Sequence, residues 1–278
     1  MSNPLAKHFR QPAIHMELPS AGRWWRPGSL SVPPTNQLPI FPMTARDEIL
    51  IRTPDALMNG STVVELLQNC VPSIKDAWAT PNVDIDALLI GIRIASYGPN
   101  LDVDTTCPHC GHANRHEFDL THRLGSIRCP NFDKSIAHNG LTYKFKPMNY
   151  FSTTRENTVA FHEEKLIAAL ENAELGEEEK QKQLKESITN LTNANVKSIT
   201  SQTEYIQMAD GTKVVEFEYI HEFYQNVEAD VLRHILSKIK EIYSDVAVPD
   251  EKVQCVECTK EYSVPFQFDY SSFFVRGF

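Results

Sequence analysis

The chain has 278 residues, 41% hydrophobic and 23% charged, with a net charge of -9; this length fits one large domain or two small ones and buries a core without cross-links, and the acidic balance argues against binding nucleic acid over the whole surface. No apolar run approaches the roughly 20 residues of a membrane span. The opening "MSNPLAKHFRQPAIHM" has no signal-like apolar region before its prolines, so a reducing cytoplasm is expected, with the six cysteines as thiols or metal ligands and not disulfides.

Eight of the 17 prolines fall in the first 45 residues. Proline fixes φ and removes a donor, which disfavours both a long helix and a central strand here. Residues 1–43 therefore read as an extended, proline-rich arm carrying Lys7, Arg10, Arg23 and Arg26 against Glu17, together with Phe9, Trp24 and Trp25. Two readings stay open: the arm lies along a neighbouring protein, or it packs back on its own body with both tryptophans in the core.

From Thr44 the pattern becomes helical. "TARDEILI" opens with a hydroxyl residue and has Asp47 three positions on, a capping signal, and Pro54 should stop that helix. "GSTVVELLQNCV" spaces Val63, Leu66, Leu67 and Cys70 as a second helix. "VDIDALLIGIRIASYG" is apolar nearly all round and predicts a buried central helix, with Asp84 as its cap and Gly98 past its end.

"LDVDTTC" and "RHEFDL" alternate as strands on either side of "CPHCGHAN", and Asn139-Gly140 predicts a type I′ hairpin turn. Residues from about Asn149 to Met208 read as charged helix. Glu156 to Glu186 hold nine acids and four lysines, read as a solvated face or as a docking surface for a basic partner. "NVEADVLRHILSKIKEI" predicts an amphipathic helix with Val231, Leu232, Ile235, Leu236, Ile239 and Ile242 on one side.

A second Cys-x-x-Cys stands in "CVECTKEYSVPFQFDY". Aligned on the cysteines, Phe118 matches Phe266 and Leu120 matches Phe268, with Asp119 and Asp269 close by, so a knuckle-plus-strand unit occurs twice. Two residues between cysteines let one tight turn aim both sulfurs at one point, and four thiolates close a tetrahedral zinc site with no open position, structural and not catalytic. The long gap between the knuckles is no obstacle, since closure entropy rises only about 0.6 kcal/mol per doubling of loop length. The ligand set Cys107, Cys110, Cys255 and Cys258 on one structural Zn²⁺ stands beside two others: Cys107, Cys110 and Cys129 with His109, His112, His116 or His122, and a redox pair or unused thiols.

"LPIFPMTARDEILIRTPDALMNG" (Leu38–Gly60), the helix "DIDALLIGIRIASYG" followed by a CPxCG-like knuckle, and a second CxxC followed by "FDYSSFF" resemble the T4-type bacteriophage baseplate family, the hub assembly proteins of contractile tails. The second knuckle departs from the pattern in lacking a glycine after its second cysteine. The resemblance implies a structural or assembly component of the virion tail baseplate, built in the host cytoplasm. Its implied partners are other hub or wedge proteins or the tail-tube-initiating complex. The residues themselves carry no GxSxG, HExxH, P-loop or dinucleotide fingerprint, so no enzyme is expected. The alternative is a zinc-ribbon nucleic-acid-binding protein, for which "HANRH" beside the knuckle is the best support.

The expected architecture is α+β: a mainly helical body with a small zinc-ribbon β subdomain and the arm. The expected divisions are 1–43, the arm; 44–148, helices with the first knuckle and hairpins; 149–248, a helical insertion; and 249–278, the second knuckle, which closes the ribbon with 100–120.

Overall fold

The computed structural model describes residues 3–52, 60–171, 176–246, 248, 250–265 and 273–274. Pro54, Phe266, Phe268 and Asp269 lie outside the described residues. Helices and mainly antiparallel strands are mixed along the chain, the α+β class expected. The chain divides into two compact units, one of Met1–Ala77, Val83–Cys129 and Val246–Phe278, the other of Trp78–Asn82 and Pro130–Asp245.

In the first unit, α1 (Ala45–Ile51) starts at the capping box read from the sequence: the Thr44 amide donates to Asp47 Oδ2 at 2.7 Å and the Asp47 amide donates to Thr44 Oγ1 at 3.4 Å. These bonds satisfy amides that a helix start leaves without partners. α2 is Ser61–Cys70, with Val63, Leu66, Leu67 and Cys70 buried as their spacing requires. α3 (Asn82–Tyr97) is the central helix, with Leu88, Leu89, Ile90 and Ile92 wholly buried. It stops at Gly98, whose φ of +87° is one that glycine adopts freely and whose amide closes on Ile94 O at 2.9 Å.

Asp84 does not cap α3. The helix begins two residues earlier, and Asp84 turns its carboxylate to the arm. It accepts the Ser20 amide at 2.8 Å, the Ser20 hydroxyl at 2.6 Å and Trp25 Nε1–H at 2.9 Å. Burial holds its pKa above the usual carboxylate value, and the Ser20 and Trp25 bonds offset part of that shift.

Of the two readings of the arm, the structure takes the second in modified form. β1 (Ile14–Met16) and β2 (Leu38–Ile40) form an antiparallel ribbon with Ile14 opposite Ile40 and Met16 opposite Leu38. Met16, Leu18, Leu38 and Ile40 are buried, while Trp24 and Trp25 are only half-buried. Proline density excludes a long element here and still permits a three-pair ribbon whose remaining backbone groups bond to the body. Ser31 donates to Ser73 O at 2.8 Å, Lys75 to Ser29 O at 2.7 Å and Phe41 to Cys70 O at 2.8 Å. Arg10 donates to the carbonyls of Pro42 and Asn69. The ribbon packs where α3 has no side chain: a Cβ added at Gly91 would stand 2.7 Å from Met16 Sδ.

The second unit holds a four-stranded antiparallel sheet in the order β5-β6-β7-β8 (Ile136–His138, Leu141–Phe145, Thr203–Gln207, Lys213–Val214). Asn139 (φ 48°) and Gly140 (φ 75°) make the left-handed turn expected between β5 and β6. α4 (Leu120–Ser126) follows the first knuckle in the first unit; in the second, α5 (Tyr150–Glu171) and α6 (Glu177–Gln202) follow the charged stretch. The helical reading overruns at its end, where Thr203–Gln207 is strand β7 with Thr203 and Ile206 buried between its neighbours. α7 is Phe217–Asn226. α8 (Ala229–Ser244) buries Val231, Ile235 and Ile239, whereas Leu236, a 100° step from Ile235, is exposed. Among the described residues no helix is long and apolar enough to cross a membrane.

Candidate metal centre

Two hairpins of the first unit carry the knuckles. β3 (Asn100–Thr106) pairs with β4 (Ala113–Asp119), and β9 (Glu251–Gln254) pairs with β10 (Glu261–Val264). Each ladder ends one residue before its first cysteine, with Thr106 opposite Ala113 and Gln254 opposite Glu261. The turns are built alike. The Cys107 amide donates to His112 O at 2.9 Å and the Gly111 amide to Cys107 O at 2.9 Å; the Cys255 amide donates to Lys260 O and the Thr259 amide to Cys255 O, both at 3.0 Å.

These turns aim four sulfurs at one point. The Sγ atoms of Cys107, Cys110, Cys255 and Cys258 all lie within 4.8 Å of one another. Two contacts between the knuckles, Cys107 to Cys258 and Cys110 to Cys255, are 3.7 Å each. Sulfurs at Zn–S bonds of about 2.3 Å in a tetrahedron stand about 3.8 Å apart, so the spacing suits an ion at the centre and is far beyond a disulfide bond of about 2.05 Å. Cys107 and Cys255 are buried, Cys258 is half-buried and Cys110 is exposed. The His109 amide points at Cys107 Sγ from 3.4 Å, an orientation that favours a thiolate.

The acid–base chemistry of the cluster is compatible with a bound cation. Amides of Cys258 and then Glu257 pull the Cys255 thiol down to about 6 against the effect of burial. The His112 amide acts on Cys110 in the same sense, but desolvation and the sulfurs of Cys258, Cys255 and Cys107 outweigh it and push that thiol up to about 12. The Cys255 thiol is thus the more acidic of the two, and Cys110 holds its proton in hydrogen bonds to the sulfurs around it. A divalent ion at the centre would favour the thiolate form of its ligands.

Cys129 and the neighbouring histidines are not drawn in. Among the described residues the four cysteines are the one group of three or more such side chains close enough to share an ion. His116 Nε2 instead meets the Tyr262 hydroxyl at 3.0 Å, and that hydroxyl also bonds Thr105 Oγ1 at 2.6 Å. Arg115 pairs with Asp102 at 2.7 Å, both side chains being exposed.

Two bracing residues escaped the sequence reading. Buried Asn114 accepts the Val256 amide through Oδ1 at 3.0 Å while its Nδ2 donates to His112 O at 3.0 Å, tying one knuckle to the other. Tyr262 does the same from the second hairpin. Asn114 and Tyr262 hold equivalent places after their knuckles, but their chemistry differs, so comparing the two units residue by residue gives no signal.

No curated protein and no solved structure matches the chain. A family model described as "T4 bacteriophage base plate protein" matches residues 14–275, from the first arm strand to beyond the second knuckle. With nearly its whole length covered, the chain belongs to the T4 bacteriophage base plate protein family.

Proposed function

We propose that the chain is a structural or assembly component of a contractile phage tail baseplate, in its hub or wedge, that holds one structural zinc ion and binds neighbouring baseplate proteins. The observation that carries this reading is the family match over residues 14–275, which includes most of the arm, both knuckles and the helices between them. The reading assigns the chain no catalytic role. It places the protein in the virion tail after assembly in the host cytoplasm.

The zinc part of the reading rests on the sulfur geometry and on the small apolar core that the two hairpins share among the described residues. Among the described residues, the buried core around Cys107 and Cys255 is made by Tyr262 and Val264, with Phe118 and Val253 packed against it. Full burial of each such side chain contributes roughly 1.5–3 kcal/mol, whereas a structural zinc contributes roughly 10–16 kcal/mol in small modules. Cys107, Cys110, Cys255 and Cys258 would hold the ion as a closed all-thiolate set that clamps the hairpins. The domain reading follows from it: residues 100–120 and 249–278 form one ribbon, with the helices of 149–248 inserted between its halves.

Gene disruption in the producing phage tests the baseplate role. Particles that lack baseplates, restored by supplying the chain from a plasmid, are the expected result. Intact, infectious tails without the chain would end the proposal. Mass spectrometry of purified virions then separates a retained subunit, present at stoichiometric level, from an assembly factor.

A further inference from the structure

We infer that the outward face of α5 is a docking surface for an amphipathic helix with acidic flanks, supplied by a neighbouring protein. α5 is apolar on more than one side. One face meets α6, where Asn190 Nδ2 donates to Glu163 Oε1 at 2.8 Å and Ser201 Oγ approaches Glu156 at 3.5 Å, and where Leu170 is buried. Beside that face an exposed stripe runs through Phe151, Arg155, Val159, His162, Lys165 and Leu166. These residues are three or four apart and so neighbours along one side of a helix. All six are exposed, and Phe151, Val159 and Leu166 keep 51%, 36% and 44% of their surface in water. A wide apolar stripe left in water beside a packed face normally has a partner of its own.

Charge selects the occupant. The chain has 36 acids against 27 lysines and arginines, yet this face carries Arg155 and Lys165 and no carboxylate. Glu156 and Glu163 are turned toward α6. Lys165 Nζ lies 4.3 Å from the centre of the Phe161 ring, which keeps its charge over apolar surface at the edge of the face. A second copy docking through the same face would set Arg155 and Lys165 against their own equivalents, an arrangement that like charges oppose. A partner helix with leucine-like residues in its seam and glutamates beside it meets both requirements. From Phe151 to Leu166 the face extends about 22 Å, so the partner contributes about four turns.

The neighbour's membership of the baseplate rests on the proposed function; the charge selectivity does not. The test uses the full, zinc-loaded chain and two fluorescent probe peptides of about three heptads, both with leucine at the seam, one with glutamate and the other with lysine beside it. The glutamate peptide should bind at least about tenfold more tightly, a difference of about 1.4 kcal/mol. Arg155→Glu with Lys165→Glu should reverse that preference, and Leu166→Asp should weaken both peptides, while zinc content and circular dichroism stay unchanged. Equal binding of the two peptides, or binding of neither, overturns the inference. So does a dimer in sedimentation that Leu166→Asp dissolves, or preferential binding to phosphatidylserine vesicles. A chain that selects the glutamate peptide yet is dispensable for baseplates defeats only the family-based reading. A chain that is required for baseplates yet ignores both peptides defeats only this one.

Discussion

Gly111 and Thr259 hold the same place in the two knuckles. Each gives its amide to the carbonyl of the cysteine four residues before it, at 2.9 and 3.0 Å, and each has positive φ, 75° and 57°. The missing glycine of "CVECTK" therefore does not open the second turn; a threonine is held in the left-handed region instead. That conformation costs a residue other than glycine roughly 1–2 kcal/mol. A Cβ at Gly111 meets nothing within 4 Å, so the backbone alone resists substitution there. Gly111→Thr should lower the stability of the metal-loaded protein by about 1 kcal/mol. Thr259→Gly should raise it by less, because glycine adds freedom to the unfolded chain and the Thr259 Oγ1 bond to Cys258 O is lost. Denaturant unfolding of both variants checks the asymmetry, and equal losses would show that φ does not govern the turn.

One zinc per chain should be found by metal analysis of the pure protein. Cys107→Ser and Cys255→Ser should weaken binding alike, since the two sulfurs are equivalent members of one cluster, whereas Cys129→Ser and Cys70→Ser should leave the zinc content intact. Ligand thiols must lose protons to bind, so affinity should fall as the pH is lowered. A Cys255→Ser protein with full zinc occupancy would refute the paired-knuckle site.

The elements that sequence displayed well are those fixed by local chemistry. The Thr44–Asp47 capping box, the Asn139-Gly140 turn and the all-apolar α3 each depend on a few adjacent residues. The pairing of the knuckles was legible because cysteine spacing encodes it even across a long gap. Asp84 was misread because a carboxylate near a helix start has two uses, and only the folded arm, arriving from Ser20 and Trp25, decides between them. β7 was hidden because "TEYIQ" follows a helix without a breaking proline or glycine, and its strand state depends on pairing with β6, some 60 residues earlier in the chain.

Asp47 should make the first unit sensitive to acid. Burial alone would raise its pKa, but bonds from the Thr44 amide and hydroxyl and from Asn69, together with nearby Arg10, hold it below the usual carboxylate value. A folded pKa below the unfolded one means that the contribution is complete above the unfolded value near 3.9 and is lost as the pH falls through the folded value. Asp47→Asn should therefore cost about 1–2 kcal/mol at pH 7. The gap between variant and parent should close under acid, where the parent's carboxyl is protonated too. Unfolding curves at neutral and acid pH measure this, and a constant gap would mean that the charge contributes nothing.

The arm offers a test of where the fold ends. Starting the chain at Thr44 removes Met16, Leu18, Leu38 and Ile40 from the core. At roughly 1.5–3 kcal/mol for each, the loss rivals the whole stability of a typical domain, about 5–15 kcal/mol, so the truncated chain should melt many degrees lower or be insoluble. Truncation is a blunt measure, and two point changes make it specific. Trp25→Phe keeps the ring's apolar bulk but leaves Asp84 without the Nε1–H bond, with an expected loss of about 1–2 kcal/mol. Gly91→Ala places a methyl group 2.7 Å from Met16 Sδ, and crowding of this kind costs roughly 1–3 kcal/mol. Combining Gly91→Ala with Met16→Ala should cost less than the two changes added together, because the shortened side chain vacates the space that the new methyl group needs. Strict additivity of the pair in thermal unfolding would show that the ribbon does not rest on α3 in solution, and that the arm is free to reach a neighbour.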